Sequence, residues 1–114
     1  MLNTEPNPDF LPGTLEMLIL QTLGRGRNHG YGIAQHIRRL SSDALRIEEG
    51  SLYPAMQRLQ ARGFVASEWK TSPTGRQARY YRLTASGRRR LEVEEASFRD
   101  SVNAITRVLR GAES

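Results

Sequence analysis

Between Thr84, whose hydroxyl can cap a helix, and Gly111, which can end one, the chain offers an unbroken helical stretch with no proline. At helical rise its length is about 26 residues, or roughly 39 Å. Leu91, Phe98, Val102, Ile105 and Leu109 recur along it, at spacings of four, three and four residues over the C-terminal half. That is a seam. A helix of this length outruns what the rest of a 114-residue chain can cover. The simplest cover is the equivalent helix and the first helix of a second copy. A homodimer is therefore expected, with those five residues in its interface.

The first helix points the same way. From Gly13 the sequence turns apolar, with Leu15, Met17, Leu18, Ile19, Leu20 and Leu23, Thr14 as N-cap and Gly24 as stop. So little polar face remains that the helix must be covered on more than one side, and Leu15 and Leu18 join the expected dimer contacts. Which apolar face meets the partner is left open. Residues 1–12, with Pro6, Pro8 and Pro12, read as a flexible tail.

"GRGRNHG" follows and reads as a turn, since its glycine spacing does not match a phosphate-cradling loop. A second helix is expected from about Tyr31 to Leu40, with Ile33, Ile37 and Leu40 on its inner face and Gln35, His36, Arg38 and Arg39 outward. The connection "SSDALRIEEG" alternates at Leu45 and Ile47, as one brief strand would. In the third helix Ser51 is the N-cap candidate, Leu52, Met56 and Leu59 form the buried face, and Gly63 is the stop. Pro54 would then fall third in the helix, where its missing N–H costs no bond. Tyr53, Gln57, Arg58 and Gln60 occupy the other face, a set suited to base edges and phosphates but equally to a plain solvated surface.

"FVASEWK" and "ARYYRLT" have the aromatic and β-branched content of strands, and "TSPTGRQ" between them has the Pro and Gly of a hairpin connection. Between Glu68 and Glu92 there is no acid, while Lys70, Arg76, Arg79, Arg82, Arg88, Arg89 and Arg90 all fall there. Within a net charge of +5, that block suggests a polyanionic partner. Three short helices followed by a basic hairpin make a winged helix-turn-helix. The expected class is α+β, mainly α: a winged helix-turn-helix over residues 13–84 and a C-terminal dimerisation helix over 85–114. Arg76 and Arg79 on the wing are expected to touch phosphates or the minor groove.

The chain resembles the PadR-like family of bacterial transcriptional regulators, through "GTLEMLIL", "HGYGI" at 29–33, "GSLYPAMQRLQARGFV" at 50–65 and "RYYRLTASG" at 79–87. The resemblance implies that Tyr31, Tyr53 and Pro54 lie at the DNA-facing mouth of the helix-turn-helix, with Gln57 and Arg58 further along the recognition helix. Position 60, often acidic in the family, is Gln60 here. The candidate DNA-binding set is then Tyr31, Ser51, Tyr53, Pro54, Gln57, Arg58, Arg76 and Arg79. The resemblance implies a sequence-specific regulator of duplex DNA, expected to be a homodimeric repressor on a pseudo-palindromic operator. It also implies that some members hold phenolic or drug-like compounds beside the dimer helix, so a small-molecule effector is one reading of that region and Phe98 as plain dimer core is the other. Phe98 is the last helix's one aromatic, which argues against a wide aromatic trap.

Other classes fit less well. There is no cysteine, and the two histidines, His29 and His36, have neither of the helical spacings that zinc enzymes use. Capping or solvent-facing roles suit both better, so no catalytic residue, metal or cofactor is expected. No apolar run is long enough to span a bilayer and no leader is visible, so a cytoplasmic protein without membrane association is expected. The rival reading is a winged helix used as a protein-interaction module, its basic wing against an acidic surface.

Overall fold

The computed structural model describes residues 13–111; the expected tail over residues 1–12 and the last three residues lie outside them. The order of elements is α1 (Thr14–Gly24), β1 (Asn28–His29), α2 (Gly30–Leu40), α3 (Glu49–Ala61), β2 (Val65–Thr71), β3 (Gln77–Leu83) and α4 (Ala85–Arg110). The strands form one antiparallel sheet in the order β1-β3-β2.

Helix α1 is the centre of the core. Leu15, Met17, Ile19, Leu20 and Leu23 are buried, and the helix packs against α2, α3, β3 and α4. The second cover expected from another chain is thus supplied largely by the same chain. Thr14 is not the cap: Gly13 takes that position at φ 85, in the left-handed region, and Thr14 is already helical. Gly24 is the last helical residue rather than the stop, and the chain leaves through Arg25, whose N–H donates to the Thr22 carbonyl at 3.1 Å.

The "GRGRNHG" segment is more than a turn. Asn28 and His29 pair with Tyr81 and Tyr80 of β3, a contact between distant parts of the chain that two residues cannot signal by pattern. His29 also caps α2, its Nδ1 accepting from the Gly32 N–H at 3.0 Å. Ile33 and Ile37 are buried as expected, but Leu40 is 63% exposed. It is the final residue of α2, ahead of a turn in which Ser42 (φ 53) and Asp43 (φ 70) take left-handed backbone. Asp43 holds that turn by accepting from Arg38 at 2.8 Å, and this bond lowers the carboxyl's pKa. Leu45 and Ile47 are half-buried against the core, but no strand forms. Their alternation marks two anchors of a linker.

Helix α3 starts earlier than a Ser51 cap allows. Glu48 is the N-cap, without a side-chain cap bond, so Ser51 lies inside the first turn and Pro54 is sixth in the helix. The proline therefore does remove one bond, the one that the Gly50 carbonyl would accept. Gly50 is exposed, so water can take that donor's place. At the other end the helix closes as a Schellman turn: Gly63 at φ 81 with the Phe64 N–H donating to the Leu59 carbonyl at 3.0 Å.

That junction is also the root of α4. Thr84 Oγ1 donates to the Gly63 carbonyl at 2.7 Å and accepts from the Gly87 N–H at 3.0 Å, so one hydroxyl caps α4 and ties it to α3. The helix runs 26 residues and ends at Gly111 in left-handed conformation (φ 62), as expected. Leu91 is the last residue along it to be buried within the chain. No helix among the described residues is long and apolar enough to cross a membrane.

Candidate nucleic-acid interface

Helix α3 buries Leu52, Ala55, Met56 and Leu59, and so presents Tyr53, Pro54, Gln57, Arg58 and Gln60 to solvent. The wing stands beside that face. Its tip closes where the Ser72 N–H donates to the Arg76 carbonyl at 2.6 Å, with Gly75 at φ 86 in a conformation that favours glycine. Strand register sets Trp69 opposite Arg79 and Glu68 opposite Tyr80.

Between α2, α3 and the wing lies a groove of about 660 Å³. Tyr31, Tyr53, Arg76 and Arg79 line it with His29, Trp69 and Tyr80, and no acid does. His29 meets the Tyr80 ring edge-on at 5.3 Å and stacks towards Tyr31, which fixes the groove's aromatic wall. Tyr53 leans across the start of α2. Burial, reinforced by Glu49 and Tyr81, pushes its phenol above the usual value, so the hydroxyl keeps its proton and can donate. A second depression, lined by Gln57, Gln60, Ala61, Arg79 and Tyr81, continues along α3. Arg79 borders both.

The eight candidate residues are therefore not equivalent. Tyr31, Tyr53, Arg76 and Arg79 share one groove, and Gln57 joins Arg79 in the next. Ser51 and Pro54 are exposed on α3 and line neither depression. Arg58 turns instead toward α1, donating from Nε to Glu16 Oε2 at 2.6 Å. His29, Trp69 and Tyr80 are wall residues that sequence pattern does not mark; the pairing of His29 with Tyr80 and of Trp69 with Arg79 brings them to the groove.

The candidate dimer residues also divide. Leu15 and Leu91 are buried within the chain and Leu18 is half-buried, whereas Phe98, Val102, Ile105 and Leu109 are exposed along α4. Phe98 edges a notch of about 120 Å³ with Met17, Glu94 and Ser101.

Neither histidine has a metal-binding setting. No group of three or more His, Cys, Asp or Glu residues able to hold an ion occurs among the described residues. His36 is half-buried rather than outward, and its Nε2 has no hydrogen-bond partner among them. Burial, then the charges of Arg39 and Arg25, hold its pKa below the ordinary value.

Three helices and a small antiparallel sheet, with the β2–β3 hairpin flanking the open face of α3, define a winged-helix transcription regulator of the DNA-binding class. The chain belongs to the Transcriptional regulator PadR-like family, whose model matches residues 19–93. It is 30% identical over 106 residues to the transcriptional regulator Rv3488 of Mycobacterium tuberculosis, covering 93% of this chain and 92% of that one. Among solved structures it is similar to a PadR family transcription regulator from Clostridium difficile, at 27% identity, TM-score 0.74, and 85% and 99% coverage of the two chains. A PadR family transcriptional regulator from Eggerthella lenta is 34% identical, with TM-score 0.73 and coverage of 87% and 84%.

Proposed function

We propose that this regulator acts as a homodimeric repressor that holds a pseudo-palindromic operator and is released by a small-molecule effector. The observation that carries the reading is the acid-free groove shared by α3 and the wing, where Tyr31, Tyr53, Arg76 and Arg79 converge. Its rims are one helix able to enter a major groove and one hairpin able to reach flanking backbone. The exposed apolar residues of α4 supply the two-fold axis, pairing with the same helix of a second copy. Two recognition helices so related address half-sites about one helical turn apart, roughly 34 Å. Repression then follows from occupancy alone, since a dimer across two half-sites excludes polymerase from the same duplex. The notch between α1 and α4 edged by Phe98 lies where an effector would alter the angle between the two wings.

Footprinting on the promoter next to the gene is the test. Protection of two half-sites in inverted repeat is expected. A dimer that protects no duplex at moderate salt would show instead that the wing serves a protein partner.

A further inference from the structure

Arg76 and Arg79 have the same charge but different surroundings. Arg76 Nε and Nη atoms make no hydrogen bond or ion pair among the described residues, whereas Arg79 is held from two sides. Its Nε donates to Ser67 Oγ at 3.0 Å, and Ser67 in turn donates to Gln60 Oε1 at 3.2 Å. The hydroxyl thus accepts once and donates once, which fixes its proton between wing and recognition helix. The Arg79 guanidinium carbon also stands 5.6 Å from the centroid of Trp69, its directly opposed partner on β2. Trp69 is the only tryptophan and is 60% exposed, a position that core packing does not require. Arg79's Nη groups have no partner among the described residues, and Arg79 borders the depression that also holds Gln57.

We propose that Gln60, Ser67 and Trp69 are positioning residues that hold the Arg79 guanidinium beside α3, with its Nη fork ready for a DNA phosphate. The inference rests on the DNA-binding reading above and adds to it which wing cation is set in place before contact. A long side chain fixed in advance loses less rotamer freedom on binding, so the contact it makes is tighter than one from a free arginine. Neutrality at position 60 belongs to the same device. A carboxylate there would accept from Ser67 equally well, but it would draw the guanidinium off the ring and cancel its charge.

Because phosphate contacts do not read sequence, a labelled random-sequence duplex and the full-length protein suffice. Trp69→Leu and Ser67→Ala should each weaken binding by roughly two- to five-fold, the range of an exposed cation–π contact or a single hydrogen bond. Trp69→Phe should restore most of the loss. In an Arg79→Ala background neither change should cost anything further. Gln60→Glu should flatten the slope of log affinity against log salt by about 0.9, one phosphate contact. All four side chains are exposed or half-buried, so the variants are not core mutants. Losses that add fully in the Arg79→Ala background, or a Trp69→Phe protein no better than Trp69→Leu, would overturn the positioning role while leaving DNA binding intact. A wild-type protein that fails to bind the duplex even at low salt would overturn the DNA-binding reading and the positioning role together.

Discussion

Tyr53 crosses the first turn of α2 so closely that its hydroxyl oxygen stands 2.7 Å from where a Cβ on Gly30 would lie. Glycine at that position lets the recognition helix lay a phenol over the mouth of the groove. Since the crowded atom is the far end of a partly exposed side chain, Gly30→Ala should move the phenol rather than unfold the protein. The melting temperature is expected to change little while duplex affinity falls. If Tyr53 is the reason, Gly30→Ala should cost nothing more once Tyr53→Ala is present, and thermal melts with binding titrations on all three variants check this.

Gly87 is the opposite case. A Cβ there would run into the Phe64 carbonyl oxygen, a backbone atom clamped by its own bond to the Thr84 N–H at 3.1 Å. Neither side can yield cheaply. Gly87→Ala should destabilise the fold by at least the ~1–3 kcal/mol of ordinary overpacking, measured by urea denaturation. An unchanged midpoint would show that the root of α4 is more pliable than its contacts imply.

These two glycines mark what the sequence revealed and what it withheld. Helical periodicity exposed α2, α3 and α4 because Ile33 and Ile37, Leu52, Met56 and Leu59, and Leu91 each report a local face. The hairpin was legible from its turn residues, and Thr84 and Gly63 did the capping work their types suggest. Long-range partners were not legible. Nothing in "RNHG" announces that Asn28 and His29 pair with β3, and nothing at Arg58 announces that Glu16, 42 residues away, holds it. The start of α3 was misplaced because Glu48 and Glu49 are ordinary helix formers while Ser51 is the more conspicuous cap type. The groove itself arises only where α2, α3 and the wing meet, so its wall of His29, Trp69 and Tyr80 could be named only from the fold.

Gln57 and Arg58 are adjacent in sequence yet should differ in behaviour. Gln57 faces the depression beside the wing, so Gln57→Ala is expected to lose ~1–3 kcal/mol on a specific site and little on random DNA. Arg58 must first leave Glu16, a pair exposed on the arginine side and half-buried at the carboxylate, whose worth is on the order of 1 kcal/mol after solvent screening. Glu16→Gln should therefore release Arg58 and raise affinity for both duplexes at low salt. Should Arg58→Ala alter neither, the residue is a strut between α3 and α1 and not a DNA contact.

Along α4, Phe98 and Ile105 are 38% and 49% exposed in the single chain, with Val102 between them. Covering such a side chain contributes about 1.5–3 kcal/mol when complete, and a two-fold interface counts each residue twice. Phe98→Asp or Ile105→Asp should convert the proposed dimer into monomers without loss of helix content, because neither is needed in the intrachain core. Light scattering at micromolar concentration is the measurement. A wild-type monomer there would remove the dimer from the proposal.

The wing tip supplies the last prediction. Arg76 closes a turn whose loop, Ser72 to Arg76, has no acidic residue, and its side chain borders the groove without an ionic partner among the described residues. A cation so placed can reach a phosphate or the minor groove outside the α3 contacts. Such a contact releases counterions but reads no sequence, so Arg76→Ala should weaken operator and random duplexes by similar factors. The slope of log affinity against log salt should flatten by about 0.9, and the deficit should shrink as salt rises. Tyr53→Phe is the companion variant, because it keeps the ring and removes a hydroxyl whose proton is retained at neutral pH. Losing a neutral donor should lower affinity while leaving the salt slope unchanged, so the two variants separate charge from hydrogen bonding within one groove. An unchanged slope for Arg76→Ala would take the wing tip off the DNA and leave Arg79 as the cation that lines the groove.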